Sequence, residues 1–527
     1  MASHTDNFNH ICDYLRHWAK HTPDSEAAIY KSERLNWDEL LSKVESLACQ
    51  LLDLGVKRGD RVALLSPARN EYLISYLATI MIGGIWYGLH PRYQRREIKY
   101  LLDEAKPNVV ITVDSYLDLD FQQDFEYLLE NCDYLRQLIT IGNQSWPNSR
   151  QWSLPEPTTA QKELLKRRIT ELTIDDSALI VFTSGTTGEP KGALLSHRNV
   201  LATMKIQNRH FGFNQSTITQ IPFPINHVAC STQLTTGSII AGSKMIFLDK
   251  FDPAETLKTI EAERVTHVAQ IPTMFLLQFA EENYDEYDHS SVEHYIWAGS
   301  SAPVSMVKRL RKSGVPLLTG YGMTESTGFV TFTRQDASES EISKGAGIID
   351  TGYELKIVDS NRTRLTQQQL LDGEIGEISL RGDCIMQKYW NRAKQTAEVK
   401  DENGWYYTGD IARQDAKGNI FLVGRSKEMF ISGGFNIYPK EIEMVIEQLN
   451  DVAMVSVIGV NDPTYQEVGK ALLVAKHDVT IDLEQVKEHC RAQLANFKVP
   501  KYFELVESFP LLPNGKLDKK LIVKKYS

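Results

Sequence analysis

Across its first 350 residues the chain alternates short apolar runs with segments of helical period, and few folds accept that rhythm. Residues 61–65, 109–113, 178–182, 245–248, 267–271 and 316–318 are apolar runs too short for helices, and each predicts a buried strand. Between them lie helical stretches such as 40–54, whose apolar positions recur at helical spacing and stop at Gly55. Strands joined through helices pair in parallel, because the crossover returns the chain to the same end of the sheet. The polar, proline-broken stretch 147–161 predicts a surface loop. From about residue 355 the texture changes to short alternating strands with turn signals, as at 377–381 and 419–423, which predicts a β-rich subdomain over about 355–424. After Gly424-Arg425 a compact α+β stretch of about 100 residues is long enough to fold alone. At 527 residues the chain exceeds what one core serves.

Composition excludes more than it assigns. Hydrophobic content of 42% and charged content of 24% suit a soluble globular protein, and a net charge of −10 argues against nucleic acid as a partner. The segment from Arg491 onward is the exception, with eight Lys/Arg against Glu504, Glu507 and Asp518. Such a stretch is either a solvated surface or a face meant for a polyanion. Six scattered cysteines without a C-x-x-C pair argue against a disulfide framework or zinc cluster and for a reducing, cytoplasmic setting. Residues 1–20 show no signal-peptide h-region. The uncharged stretch 211–243 is too polar and too broken by proline to span a membrane. The stretch 73–89 predicts a buried helix running into a strand.

Directly behind the run 178–182 comes TSGTTGEPKG, residues 183–192. Glycines let backbone N–H groups approach one anion, and hydroxyls and a lysine add donors, so Thr183, Ser184, Gly185, Thr186, Thr187, Gly188 and Lys191 can wrap a polyphosphate. The plain alternative is a flexible polar hairpin. The spacing is not that of a Walker P-loop, because Glu189 and Pro190 separate Lys191 from Gly188.

Further motifs follow. In YGMTE, 321–325, Glu325 is a hard oxygen ligand suited to Mg²⁺ behind a tight turn. YYTGD, 406–410, ends in an aspartate after a Thr-Gly turn, able to accept from two adjacent hydroxyls as on a ribose. GRSKEMFISGGFNIYPKEIE, 424–443, reads as a break, a short strand, Gly433-Gly434, and a helix opened by Pro439. PNGKLDKK, 513–520, places Lys516 after a turn. In this order and at these separations the segments resemble the adenylate-forming superfamily of acyl-CoA synthetases, luciferases and peptide-synthetase adenylation domains. The nearest match in kind is a stand-alone acyl-CoA ligase. The resemblance covers essentially the whole chain and includes the stretches 81–102, 297–305 and 373–391.

The resemblance implies an α/β fold with a large N-terminal adenylation domain, 1–424, of parallel-rich sheets plus the β-rich subdomain. A hinge at 425–427 and a small mobile α+β C-terminal domain, 428–527, would follow. It also implies roles. The loop 183–192 would cover the ATP phosphates; Gly299, Ser300, Ser301, Ala302 and Tyr321 would line the adenine; Asp410 and Arg425 would grip the ribose. Thr324 would touch the α-phosphate, Glu325 would hold Mg²⁺, and Lys516 would reach between substrate carboxylate and α-phosphate. His227, Gly320 and Met323 would border the acyl pocket. Lys427 would be the pivot that exchanges Lys516 for Ser432, Gly433 and Gly434 beside the pantetheine of CoA. His227 reads otherwise as a satisfied core histidine. The stretch PFPINHVAC lacks the aspartate with which amino-acid-activating domains pair an α-ammonium, which disfavours an α-amino acid. The reaction expected is activation of a carboxylic acid to acyl-AMP, then transfer to CoA. The alternatives are loading of a separate acyl carrier protein, or a silent nucleotide-binding homologue. Monomer and homodimer are both open.

Overall fold

The computed structural model describes residues 8–144, 146–183, 189–334, 336–476, 479–511 and 517–527, with the backbone alone at 344–346. Two largely parallel sheets carry the first part of the chain. One runs, in spatial order, Leu317–Thr319, His294–Trp297, His267–Gln270, Ile218–Ile221, Lys244–Phe247, Glu26–Tyr30 and Glu33–Asn36, antiparallel only at the last pair. The other runs Lys388–Tyr389, Lys191–Ser196, Ser177–Thr183, Ile85–Leu89, Arg61–Leu65, Val109–Val113, Gln137–Ile141 and Arg150–Gln151. It is parallel from Ser177–Thr183 onward and antiparallel at the other edge. Each strand expected from an apolar run is present within a residue or two of its expected bounds.

The helix Asn70–Met81 touches Glu26–Tyr30 of the first sheet and both Arg61–Leu65 and Ile85–Leu89 of the second. It lies between them, which is why its sequence has no polar face. Its two tyrosines and Ser75 are hydrogen-bonded within the core. Tyr72 donates to Thr235 Oγ1 at 3.2 Å, Tyr76 meets Thr236 Oγ1 at 2.9 Å, and Trp86 Nε1 donates to Ser75 Oγ at 3.2 Å. The expected helix at 40–54 begins earlier, as Trp37–Asp53, because Asn36 caps it. The Asn36 side chain accepts from Glu39 N at 2.8 Å while the Glu39 carboxylate accepts from Asn36 N at 3.0 Å. Among the described residues no helix is long and apolar enough to cross a membrane. All six cysteines are buried and unpaired.

Two expectations need correction. The stretch 147–161 is not wholly loop: Arg150–Gln151 adds an edge strand to Gln137–Ile141, and the helix Thr159–Thr170 starts inside it. The exposed sheet edge offered pairing to the chain, and Thr158 supplies the helix cap by accepting from Gln161 N. The antiparallel sheet also starts before residue 355. Its spatial order is Thr331–Phe332, Gly345–Ile349, Ile420–Arg425, Tyr406–Gln414, Gly376–Arg381 and Glu354–Val358.

The last hundred residues build around the long hairpin of Val452–Asp462 with Gln466–Ala475, flanked by Phe430–Ser432, Phe435–Ile437 and the parallel strand Tyr502–Leu505. Helices Pro439–Ile446, Leu483–Gln493 and Lys519–Tyr526 complete the unit. Phe430, Ile442, Val457, Leu473 and Cys490 belong to a core of its own.

At the end of the strand Leu317–Thr319 the backbone passes closer to 328–331 than any side chain allows. A Cβ on Gly320 would lie 1.9 Å from Thr331 O, and one on Gly322 would lie 2.0 Å from Gly328 O. The approach is fixed by Tyr321, whose N donates to Thr331 Oγ1 at 2.9 Å and whose O accepts from Val330 N at 2.8 Å. Gly320→Ala must part these strands and is expected to cost about 2–4 kcal/mol. Differential scanning calorimetry would show a lowered unfolding midpoint; an unchanged midpoint would mean the strands separate freely.

Candidate active site

Ligands of open α/β sheets bind beyond the carboxyl ends of the strands, and Thr183, the Gly299–Ala302 stretch and Tyr321 stand at or just past such ends. Thr183 closes its strand and Lys191 opens the next as its antiparallel partner, with Thr183 Oγ1 donating to Lys191 O at 3.3 Å. The strands Ser177–Thr183 and Lys191–Ser196 are therefore the arms of a hairpin. Ser184, Gly185, Thr186, Thr187 and Gly188 lie outside the described residues. The Lys191 ammonium stands over the ring of Tyr389, 5.4 Å from its centroid. Tyr389 is brought there by the short strand Lys388–Tyr389, which pairs with Lys191–Ser196 through Ala193↔Tyr389.

The hydroxyl of that same tyrosine donates to Glu325 Oε1 at 2.7 Å. Thr324, Glu325 and Ser326 form a 3₁₀ turn at the tip of the hairpin Gly322–Met323 with Gly328–Phe329. Thr327, left-handed at φ 64°, closes the turn and anchors it by donating from Oγ1 to Cys384 O at 2.7 Å. Glu325 is only 7% exposed. Burial pushes its carboxyl above the ordinary glutamate range, opposed by the Tyr389 hydrogen bond. Its Oε2 takes no hydrogen bond from another described residue. A carboxylate with one oxygen held and the other available fits the hard, oxygen-preferring Mg²⁺. Thr324 and Met323, beside it, are half-buried.

Asp410 forms the second cluster. It lies in the strand Tyr406–Gln414 opposite Arg425, whose Nε donates to Oδ1 at 3.0 Å, while the Tyr321 hydroxyl donates to Oδ2 at 2.6 Å. The structure thus joins Tyr321, Asp410 and Arg425 around one buried carboxylate. The Thr-Gly turn expected before Asp410 is instead a bulge inside a continuous strand. Register slips between Glu377↔Ile411 and Ser379↔Tyr407, with Gly409 at φ 76°. Thr408 Oγ1 donates to Ile378 O at 2.9 Å and Gly409 N to Glu377 Oε1 at 2.7 Å, which fills the bonds the bulge leaves unmade.

Gly299 (φ 90°), Ser300, Ser301 and Ala302 follow the strand His294–Trp297, neighbour to the strand that leads into Gly320 and Tyr321. Gly299 and Ser300 are exposed, Ser301 half-buried and Ala302 buried. On the other side His227 precedes a π-helix, Ala229–Thr236. Its Nδ1 accepts from Ala229 N at 3.1 Å, which leaves Nε2 as the protonated nitrogen of the neutral ring. Thr232 Oγ1 donates to Thr327 O at 2.9 Å, tying this helix to the Glu325 turn. Asn226 Nδ2 donates to the Tyr93 hydroxyl at 2.9 Å. Tyr389 and Tyr93 escaped the sequence reading. No local pattern marks either tyrosine, in Gln-Lys-Tyr-Trp-Asn or in Pro-Arg-Tyr-Gln-Arg, although both fall within the stretches 373–391 and 81–102 that carry the resemblance.

Lys427 is exposed in the turn after Ile420–Arg425, and Ser426 N donates to Gly409 O at 2.8 Å at the root of that turn. Ser432, Gly433 and Gly434 make a tight hairpin with positive φ at both glycines, and Gly433 N donates to Tyr465 O at 3.0 Å. Lys516 lies outside the described residues.

Two parallel α/β sheets, an antiparallel sheet and a small α+β unit are the architecture of an adenylate-forming enzyme. The AMP-binding enzyme family matches residues 15–390, and the AMP-binding enzyme C-terminal domain matches residues 441–516. The chain belongs to the AMP-binding enzyme family and is an AMP-forming acid–thiol ligase of the acyl-CoA synthetase kind. The mitochondrial medium-chain acyl-CoA ligase ACSF2 of Danio rerio is 30% identical over 552 residues, covering 98% of this chain and 88% of that protein. A feruloyl-CoA synthase of an Amycolatopsis species is 30% identical over 500 residues, 95% of each. The ATP-bound MatB of Rhodopseudomonas palustris superposes with a TM-score of 0.83 at 25% identity, covering 98% of this chain and 99% of that one.

Because the folded-state pKa of Glu325 is raised, its protonated form favours the fold below the ordinary glutamate value, and that contribution is lost as pH rises through the folded value. Glu325→Gln keeps the acceptor for Tyr389 and removes the buried charge. In EDTA at pH 8 the variant is expected to melt above the wild type, the gap closing as pH falls below the ordinary glutamate value. Its carboxylate-dependent pyrophosphate release should fall about 100-fold or more. Thermal melts across pH and a pyrophosphate assay check both halves.

Proposed function

We propose that the chain uses ATP to activate a carboxylic acid lacking an α-ammonium and passes the acyl group to the thiol of CoA. The observation that supports this reading is the gathering of Lys191, Glu325, Tyr321, Asp410 and Arg425, from four separate segments, into two adjoining clusters. A cation for phosphate oxygens, a carboxylate for a divalent ion and a carboxylate for a ribose are what the first half-reaction needs.

In that step a carboxylate oxygen attacks the α-phosphorus, the bond to the bridging oxygen breaks, and pyrophosphate leaves. In the second a thiol attacks the acyl carbonyl and AMP departs. Both partners of the first step are anions, so the task of the protein is charge placement rather than nucleophilic catalysis. Thr183, Lys191 and the 184–188 loop would hold the departing phosphates, Thr324 the α-phosphate, and Asp410 with Arg425 the ribose. The Gly299–Ala302 loop and Tyr321 would border the adenine. Glu325 would hold Mg²⁺, which when bound offsets charge on the phosphoryl oxygens. His227, Gly320 and Met323 would face the acyl group. The two half-reactions would alternate by rotation of residues 428–527 about a hinge at 425–427 with Lys427 as pivot, bringing first Lys516 and then Ser432, Gly433 and Gly434 to the site.

A pyrophosphate-release screen over aliphatic, aromatic and alicyclic acids, run with CoA and with an acyl carrier protein, tests substrate and acceptor together. Release that depends on no acid would leave a silent nucleotide-binding homologue. Lys516→Ala is expected to lower acid-dependent pyrophosphate release about 100-fold or more while thioester formation from supplied acyl-AMP stays near wild type. Equal rates in both half-reactions would overturn the role of Lys516.

A further inference from the structure

Tyr389 has one side chain and two charged neighbours of opposite sign. Its hydroxyl holds Glu325 Oε1 at 2.7 Å, and its ring face carries the Lys191 ammonium at 5.4 Å. Its own position is fixed by backbone on both sides. Met386 N donates to Glu325 O at 2.8 Å, Gln387 N to Leu194 O at 2.9 Å and Trp390 N to Gly192 O at 2.7 Å. Asn199 Nδ2 further pins the approach to this segment by donating to Asp383 O and Ile385 O at 2.8 and 2.9 Å. The segment is stitched to the Glu325 turn at one end and to the Lys191 strand at the other. Tyr389 is the residue where those seams meet, 6% exposed.

We propose that Tyr389 is a positioning residue for MgATP, its hydroxyl orienting Glu325 toward the divalent ion and its ring holding Lys191 for the phosphates. The inference rests on the nucleotide reading given above. With the hydroxyl on Oε1, the carboxylate cannot rotate to close both oxygens onto one protein donor, and Oε2 is left without a donor from another described residue. With the ammonium on the ring face, Lys191 is kept from pairing directly with Glu325, which would neutralise both groups before the nucleotide arrives. A phenol does both jobs at once because its donor lies in the ring plane and its cation-binding face lies perpendicular to it.

The test separates the two jobs with α,β-methylene-ATP, which cannot release pyrophosphate, titrated calorimetrically into the full chain in Mg²⁺ and in EDTA. Mn²⁺ binding in the presence of the analogue, followed by electron paramagnetic resonance, gives a second readout independent of turnover. Tyr389→Phe keeps the ring and is expected to lose about tenfold of the Mg²⁺-dependent gain in affinity and of Mn²⁺ affinity, with affinity in EDTA unchanged. Tyr389→Leu removes the ring as well and is expected to weaken binding in EDTA by about threefold in addition. An unaltered Mg²⁺ gain in Tyr389→Phe, or an equal loss with and without metal, overturns the hydroxyl's role. Unchanged EDTA affinity in Tyr389→Leu overturns the ring's role. Failure of the wild type to bind the analogue at all would instead strike the nucleotide reading itself.

Discussion

A buried carboxylate must be held without being neutralised, and the bond from Tyr389 to Glu325 meets that demand. Glu325 arrives at the end of one sheet's last strand, Tyr389 on the edge of the other sheet, and Lys191 on the strand next to it. Burying a charge is costly unless hydrogen bonds compensate, so the turn that presents Glu325 is tied on every side. Thr327 bonds to Cys384 O, Thr232 to Thr327 O, and Met386 N to Glu325 O. The site is the joint between the sheets, and the same contacts that close the joint orient the carboxylate.

Asp410 obeys the same logic in a different setting. The bulge at 408–410 aims its carboxylate at Tyr321 and Arg425, so a strand of the antiparallel sheet is coupled to the segment following Leu317–Thr319. The turn carrying Lys427 is rooted on that bulge through Ser426 N to Gly409 O. Any reorientation of the small unit about this turn would therefore begin one residue from Arg425, which is bonded to Asp410. In the proposed mechanism, the hinge and the ribose-holding residues would share a backbone hydrogen bond, a physical route for coupling one to the other.

The strands at 61–65, 109–113 and 178–182 were legible because they are buried on both faces and read as unbroken apolar runs. The pair Arg150–Gln151 and the strands Thr331–Phe332 and Gly345–Ile349 were not. Arg150–Gln151 and Thr331–Phe332 are two residues each at sheet edges, and Gly345–Ile349 opens on Gly-Ala-Gly, which carries no strand signal; pairing with strands already formed makes them strands. Glu325, Asp410, Arg425 and Lys191 were named from motif order, and the structure brings them together. Tyr389 stayed hidden because its partners lie 64 residues away at Glu325 and nearly two hundred away at Lys191, a distance no local pattern reports.

The sequence by itself determined the class of fold, the family and most of the polar groups of the site, since glycines, hydroxyls and charges at fixed spacings are local properties of a chain. Tertiary structure alone decided how those groups act on one another. It made the Thr-Gly step before Asp410 a bulge rather than a turn, and set Tyr321 and Arg425 on opposite oxygens of one carboxylate. It also placed a single tyrosine between Lys191 and Glu325. Register, burial and the direction of a side chain are set by what packs against it, and those neighbours come from segments the local sequence does not see.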